Sequence, residues 1–154
     1  MDELELARRC AEAMWADDKA AQALGIRVEV TAPGAVRATM EVTAAMINGH
    51  DVCHGGYLFT LADTAFAFAC NAYGRVSLAA AASIDFLRPA KLGDRLTAEA
   101  AERHRGRRAG IYEVTVIDQD DAVIALFHGR SHTTDRPLLP SAEQGRGAAG
   151  SPAI

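Results

Sequence analysis

Asp63 is the only side chain with a formal charge at neutral pH between Val52 and Gly74, a run otherwise dominated by Tyr57, Leu58, Phe59, Leu61, Phe66, Phe68, Cys70 and alanine. On a helix, Thr60, Asp63, Thr64 and Asn71 gather within an arc of about 100°, one narrow polar stripe on an apolar rod. An ionised carboxylate is expensive to take from water without partners, so this position needs a reason. One reason is structural: a hydrogen bond to Thr60, to Thr64 or to another chain's helix. The other is chemical, because a carboxylate in apolar surroundings is where pKa values shift toward use as a general base or nucleophile.

Gly55 and Gly56 open the same helix. The first N–H groups of a helix have no intrahelical partner, and glycine leaves them unshielded. With the positive end of the helix dipole they would polarise an ester or thioester carbonyl and hold its developing oxyanion. A glycine pair required only for close packing is the plainer alternative. Asp63 lies eight residues beyond Gly55, about 12 Å along a helix axis. One chain cannot bring both to one carbonyl. If they share a site, Asp63 of one copy faces the helix start of another, which predicts a symmetric dimer with two composite sites.

Asn48 offers a donor and an acceptor near that helix start, although Asn before Gly also serves plain turns. His50 and His54 lie in loop and lack the Glu of H-E-x-x-H, so no metal is expected there. His128 and His132 share one face of a strand without a clear third ligand and read as structural. Arg103, Arg105, Arg107 and Arg108 crowd one turn, and Arg88, Lys91 and Arg95 surround Pro89. They read as a solvated rim or as forks for the phosphates of a nucleotide-bearing substrate. No G-x-S-x-G, Walker A or dinucleotide fingerprint occurs. Cys10, Cys53 and Cys70 fit neither a disulfide framework nor a zinc spacing and read as buried thiols.

The elements that must hold these groups are legible from periodicity. Helical spacing over residues 2–24 predicts a lead-in helix stopped by Gly25, and alternation predicts a hairpin from Ile26 to Val42 turning at Pro33-Gly34. A loop then leads to the long apolar helix, closed by Gly74, and four strands follow at roughly 77–88, 94–103, 108–118 and 122–134. Strands interrupted by a single long helix argue for an α+β fold with a largely antiparallel sheet curled around that helix. A helix apolar on nearly all sides must be surrounded, here by sheet and a second chain.

At 154 residues the chain has room for one domain, expected over residues 1–136, with a Gly/Ser/Pro-containing tail at 137–154 expected to be disordered. A net charge of −4 lacks the basic character of a nucleic-acid binder. The apolar run falls short of the roughly 20 residues of a bilayer span, and the N-terminus lacks a signal-peptide pattern. A cytoplasmic protein without nucleic-acid or membrane partners is expected.

The run NGHDVCHGGYLFTLADTAFAFACNAYG (Asn48 to Gly74), SIDFLRPAKLGDRLTAEA (Ser83 to Ala100) and FHGRSH (Phe127 to His132) closely resembles hotdog-fold thioesterases of the phenylacetate-degradation, or PaaI, type. The resemblance spans about residues 10 to 134. It implies a curved antiparallel sheet of about six strands wrapped around one helix, dimers paired into homotetramers, and hydrolysis of phenylacetyl- or hydroxyphenylacetyl-coenzyme A (CoA). It implies no metal or redox cofactor. By the same resemblance Asp63 is the base or nucleophile, Gly55 polarises the thioester carbonyl, and Asn48 and His54 are supporting polar positions. Gly56 would join Gly55 at the carbonyl, Thr64 would support Asp63, and Arg88, Arg105, Arg107 and Arg108 would meet the CoA phosphates. A hotdog hydratase would need a D-x-N-P-x-H pattern, absent here; a non-catalytic acyl-CoA sensor is the alternative of a different class.

Overall fold

Asp2 starts the first helix, its carboxylate accepting the Glu5 N–H at 2.7 Å, so α1 runs Glu3–Asp17. The structure, a computed structural model, describes residues 1–141. The single lead-in helix expected over 2–24 is two. Asp18 accepts the Ala21 N–H at 3.0 Å and opens α2 (Lys19–Ala23), replacing the continuing ladder with a side-chain cap.

Six strands follow the expected order with ends moved by one to three residues: β1 (Arg27–Ala32), β2 (Ala35–Glu41), β3 (Arg75–Phe86), β4 (Arg95–Arg105), β5 (Ala109–Ile117) and β6 (Val123–Pro137). They form one antiparallel sheet in the order β1-β2-β4-β5-β6-β3. On β5, Tyr112, Val114 and Val116 point inward and are buried while Glu113 faces out, as the alternation requires. The concave face holds α3 (Gly55–Cys70), which packs against every strand and is sealed on that side by Leu61, Ala62, Ala65 and Ala69. This is the α+β architecture expected: one sheet wrapped around one helix.

Gly74, at φ +82°, turns the chain from α3 directly into β3. β6 extends to Pro137 because that residue pairs with Arg75, and the Leu138 N–H donates to Gly74 O at 2.8 Å. The rest of the expected disordered tail, residues 142–154, lies outside the described residues.

Two neighbouring surfaces stay uncovered. β3 is an edge strand whose residues 78–83, Leu-Ala-Ala-Ala-Ala-Ser, are exposed on both faces. Beside it, α3 presents Gly56, Thr60, Asp63 and Ala67 along one stripe that the sheet does not bury.

Candidate active site

The loop before α3 is tied down by its own polar groups. Asn48 Oδ1 accepts the His50 N–H at 2.9 Å and the Val52 N–H at 3.3 Å, while its amide NH2 has no protein acceptor among the described residues. The His54 N–H donates to Met46 O and the Cys53 N–H to Ala90 O. His54 is the N-cap of α3: its Nδ1 accepts the Gly56 N–H at 2.9 Å. A ring nitrogen that accepts carries no proton, so this geometry assigns the neutral tautomer with hydrogen on Nε2.

Gly56 therefore does not join Gly55 as an open donor, because the imidazole already occupies its N–H. The Gly55 N–H has no protein acceptor among the described residues. A Cβ at Gly55 would stand 3.0 Å from Phe86 Cζ, so the ring at the end of β3 covers the helix start and glycine keeps the space open.

Asp63 sits on the uncovered stripe, half-buried, with no hydrogen bond or ion pair to any described residue. Thr60 donates to Gly56 O at 2.9 Å and Thr64 to Thr60 O at 2.7 Å, so neither hydroxyl proton reaches the carboxylate. The expected support of Asp63 by Thr64 is absent for that reason, and so is a structural hydrogen bond from Thr60. Asn71 is likewise engaged, with Ala67 O, Ser77 O and the Ser77 N–H. Burial pushes the Asp63 carboxyl above the usual carboxylate range. Because α3 is continuous from Gly55 through Asp63, their separation of about 12 Å along the axis stands.

The arginines divide. Arg103 pairs with Glu113 at 2.7 Å, and Arg108 with Asp135 at 2.9 Å and Thr133 O at 3.2 Å. Arg105 lies 3.7 Å from the ring centre of Tyr73 and 3.8 Å from Glu102. Glu102 accepts both the Tyr73 and Tyr112 hydroxyls, an arrangement not legible in the sequence because its members come from three elements. Burial, with Glu102 beside it, pushes the Tyr73 hydroxyl up to about 12. Arg88 and Arg107 are exposed, and no carboxylate pairs with either among the described residues.

Arg88 donates its backbone N–H to Ile124 O at the start of β6, whereas Arg108 meets Thr133 near its end. Nine residues of strand, about 30 Å, separate them, so one chain cannot apply both to one phosphate. His128 and His132 both lie on the exposed face of β6. No group of three or more His, Cys, Asp or Glu among the described residues is placed to hold a metal, and no helix among them is long and apolar enough to cross a membrane.

Sequence and fold both have counterparts among known proteins. Residues 50–125 match the family model of the thioesterase superfamily. The acyl-coenzyme A thioesterase PaaI of Escherichia coli is 51% identical over 122 residues, covering 79% of this chain and 87% of that protein. The structure of the E. coli PaaI protein from the phenylacetic acid degradation operon superposes with a TM-score of 0.86 at 46% identity, covering 88% of this chain and 99% of that one. A Streptococcus mutans protein bound to acetyl CoA superposes with a TM-score of 0.69 at 29% identity, covering 72% and 90%. By sequence and by architecture alike, this chain belongs to the thioesterase superfamily, among the hotdog-fold acyl-CoA thioesterases of the PaaI type.

Proposed function

We propose that this chain hydrolyses acyl-CoA thioesters, with phenylacetyl-CoA or hydroxyphenylacetyl-CoA as substrate, in sites shared by two copies. The observation that carries this is Asp63: a half-buried carboxylate, without a partner among the described residues, on an uncovered stripe of the helix that Gly55 opens. The thioester oxygen accepts the Gly55 N–H at the positive helix end, which stabilises the charge that develops on attack. Asp63 of the facing copy takes a proton from water as water attacks, or itself attacks and forms a mixed anhydride that water then cleaves; in both routes CoA thiolate leaves. His54 fixes the helix start, and the Asn48 amide NH2 is the group left to donate to the thioester or to water.

The bare edge of β3 beside the α3 stripe supports an antiparallel pairing of two copies there, since a long exposed apolar edge invites association. Following the family resemblance, such dimers pair into a homotetramer and the enzyme works in the cytoplasm. Of the four arginines expected at the CoA phosphates, Arg88 and Arg107, without an ion-pair partner among the described residues, are the stronger candidates. Arg105 and Arg108 already hold partners of their own.

The test is thiol release over a panel of aryl-acetyl, benzoyl and straight-chain acyl-CoA substrates, with aryl-acetyl thioesters expected to turn over best. Folded protein that releases thiol from none of them is a binder, not a hydrolase. Quenching during turnover and weighing the chain separates the two routes: an acyl adduct on Asp63 appears only on the anhydride path.

A further inference from the structure

Beside Asp63 a cavity of about 360 Å³ opens between α3 and the start of β3. Its helical wall is Asp63, Phe66, Ala67, Cys70 and Asn71, spaced as one face of a helix. The wall runs eight residues from the carboxylate toward the C-terminal end of α3, about 12 Å. β3 returns antiparallel to α3, Ser77 bonded to Asn71 at one end and Phe86 over Gly55 at the other. The cavity therefore extends from Asp63 away from its own helix start.

Its remaining wall comes from Met14 of α1 and from Arg136 and Leu138 at the end of β6. All three lie outside residues 50–125, which carry the superfamily match. They are anchored at the α3–β3 turn: Leu138 donates to Gly74 O, and Leu6 of α1 lies 3.7 Å from where a Gly74 Cβ would stand. Arg136 is the one cation among the lining residues. Among the described residues no carboxylate pairs with its guanidinium, the adjacent Asp135 being held by Arg108 and Arg75.

We infer that this groove takes the acyl group, and that Arg136 at its far end favours acyl groups bearing a distal carboxylate over unsubstituted ones. The inference rests on the thioesterase reading and deepens it. The acyl carbonyl stays at Asp63, a ring packs against Ala67 and Leu78, Met14 and Leu138 limit its reach, and a distal carboxylate accepts from the guanidinium.

The experiment compares kcat/KM for phenylacetyl-CoA and for its para-carboxy analogue in wild type, Arg136→Gln and Met14→Trp. Arg136 is exposed, so the Gln variant keeps its fold. Its preference for the carboxy analogue should fall by about fivefold, through KM and not kcat, with phenylacetyl-CoA nearly unchanged. Met14→Trp, which fills the far end, should penalise the longer analogue more than the shorter one. An unchanged substrate ratio in Arg136→Gln overturns the inference while leaving the thioesterase reading intact. Wild-type protein that cleaves neither thioester overturns both.

Discussion

Asp63 is a half-buried carboxylate, and its titration has two measurable consequences. In the proposed mechanism the carboxylate form acts, so kcat/KM should rise with pH through a value above the ordinary 3.8, burial having raised the carboxyl. Asp63→Asn keeps the shape but removes the proposed base or nucleophile, so kcat should drop by about 10²-fold or more. Near-wild-type kcat in the folded variant would sink the mechanism. The stability effect runs the other way. A raised pKa means that the folded chain binds the proton more tightly than the unfolded one, so stability falls as pH rises from 3.8 through the folded pKa. At neutral pH Asp63→Asn should therefore melt at a higher temperature than wild type, and below pH 3.8 the difference should vanish. Asp63 stood out in the sequence because no other charge surrounds it. That Gly56 is occupied did not, because it depends on where the His54 ring nitrogen points.

At the scale of the element, α3 and its entry loop form one device. The cap from His54 secures the first turn, and losing such a cap costs about 1 kcal/mol. His54→Ala should lower the melting temperature and activity together, whereas His54→Asn, whose side-chain oxygen also caps, should restore much of the stability. If His54→Asn melts no higher than His54→Ala, the histidine is not serving as a cap. Gly55→Ala tests the other half of the start. The atom it meets is the tip of the Phe86 ring, 53% exposed and free to move, so the variant should fold while its carbonyl site is narrowed and kcat/KM falls. The extent of α3 was readable because its apolar run ends in glycine at both sides. The break between α1 and α2 was not, because Asp18 fits a helical register and only its side-chain bond to the Ala21 N–H shows that it caps instead.

For the whole molecule, the decisive quantity is the distance of about 12 Å between two groups that the proposed mechanism brings to one carbonyl. Chains carrying Asp63→Asn mixed with chains carrying Gly55→Val should regain partial activity, since one hybrid site receives both intact parts. No recovery in verified heterodimers would mean that each chain holds a complete site. The β3 edge gives an independent test. A lysine there opposes strand pairing, so Ala82→Lys should sediment as a smaller species with an unchanged circular dichroism spectrum and little activity. Full activity in a monomeric Ala82→Lys chain would exclude a shared site.

Read alone, the sequence determined the local elements and the candidate groups on them: the strand alternation, the apolar helix, its glycine start and the isolated Asp63. These are set by short-range periodicity and by the cost of burying a charge, both of which act within a few residues. Only the tertiary structure decided which of those groups are free to act. It occupied Gly56 with His54, turned Thr64 onto the backbone and paired Arg105 and Arg108 with Glu102 and Asp135. It also brought Met14 and Arg136, from opposite ends of the described chain, to one cavity with Asp63. Such pairings depend on how the sheet closes around α3, and contacts between residues this far apart in sequence leave no periodic trace along the chain.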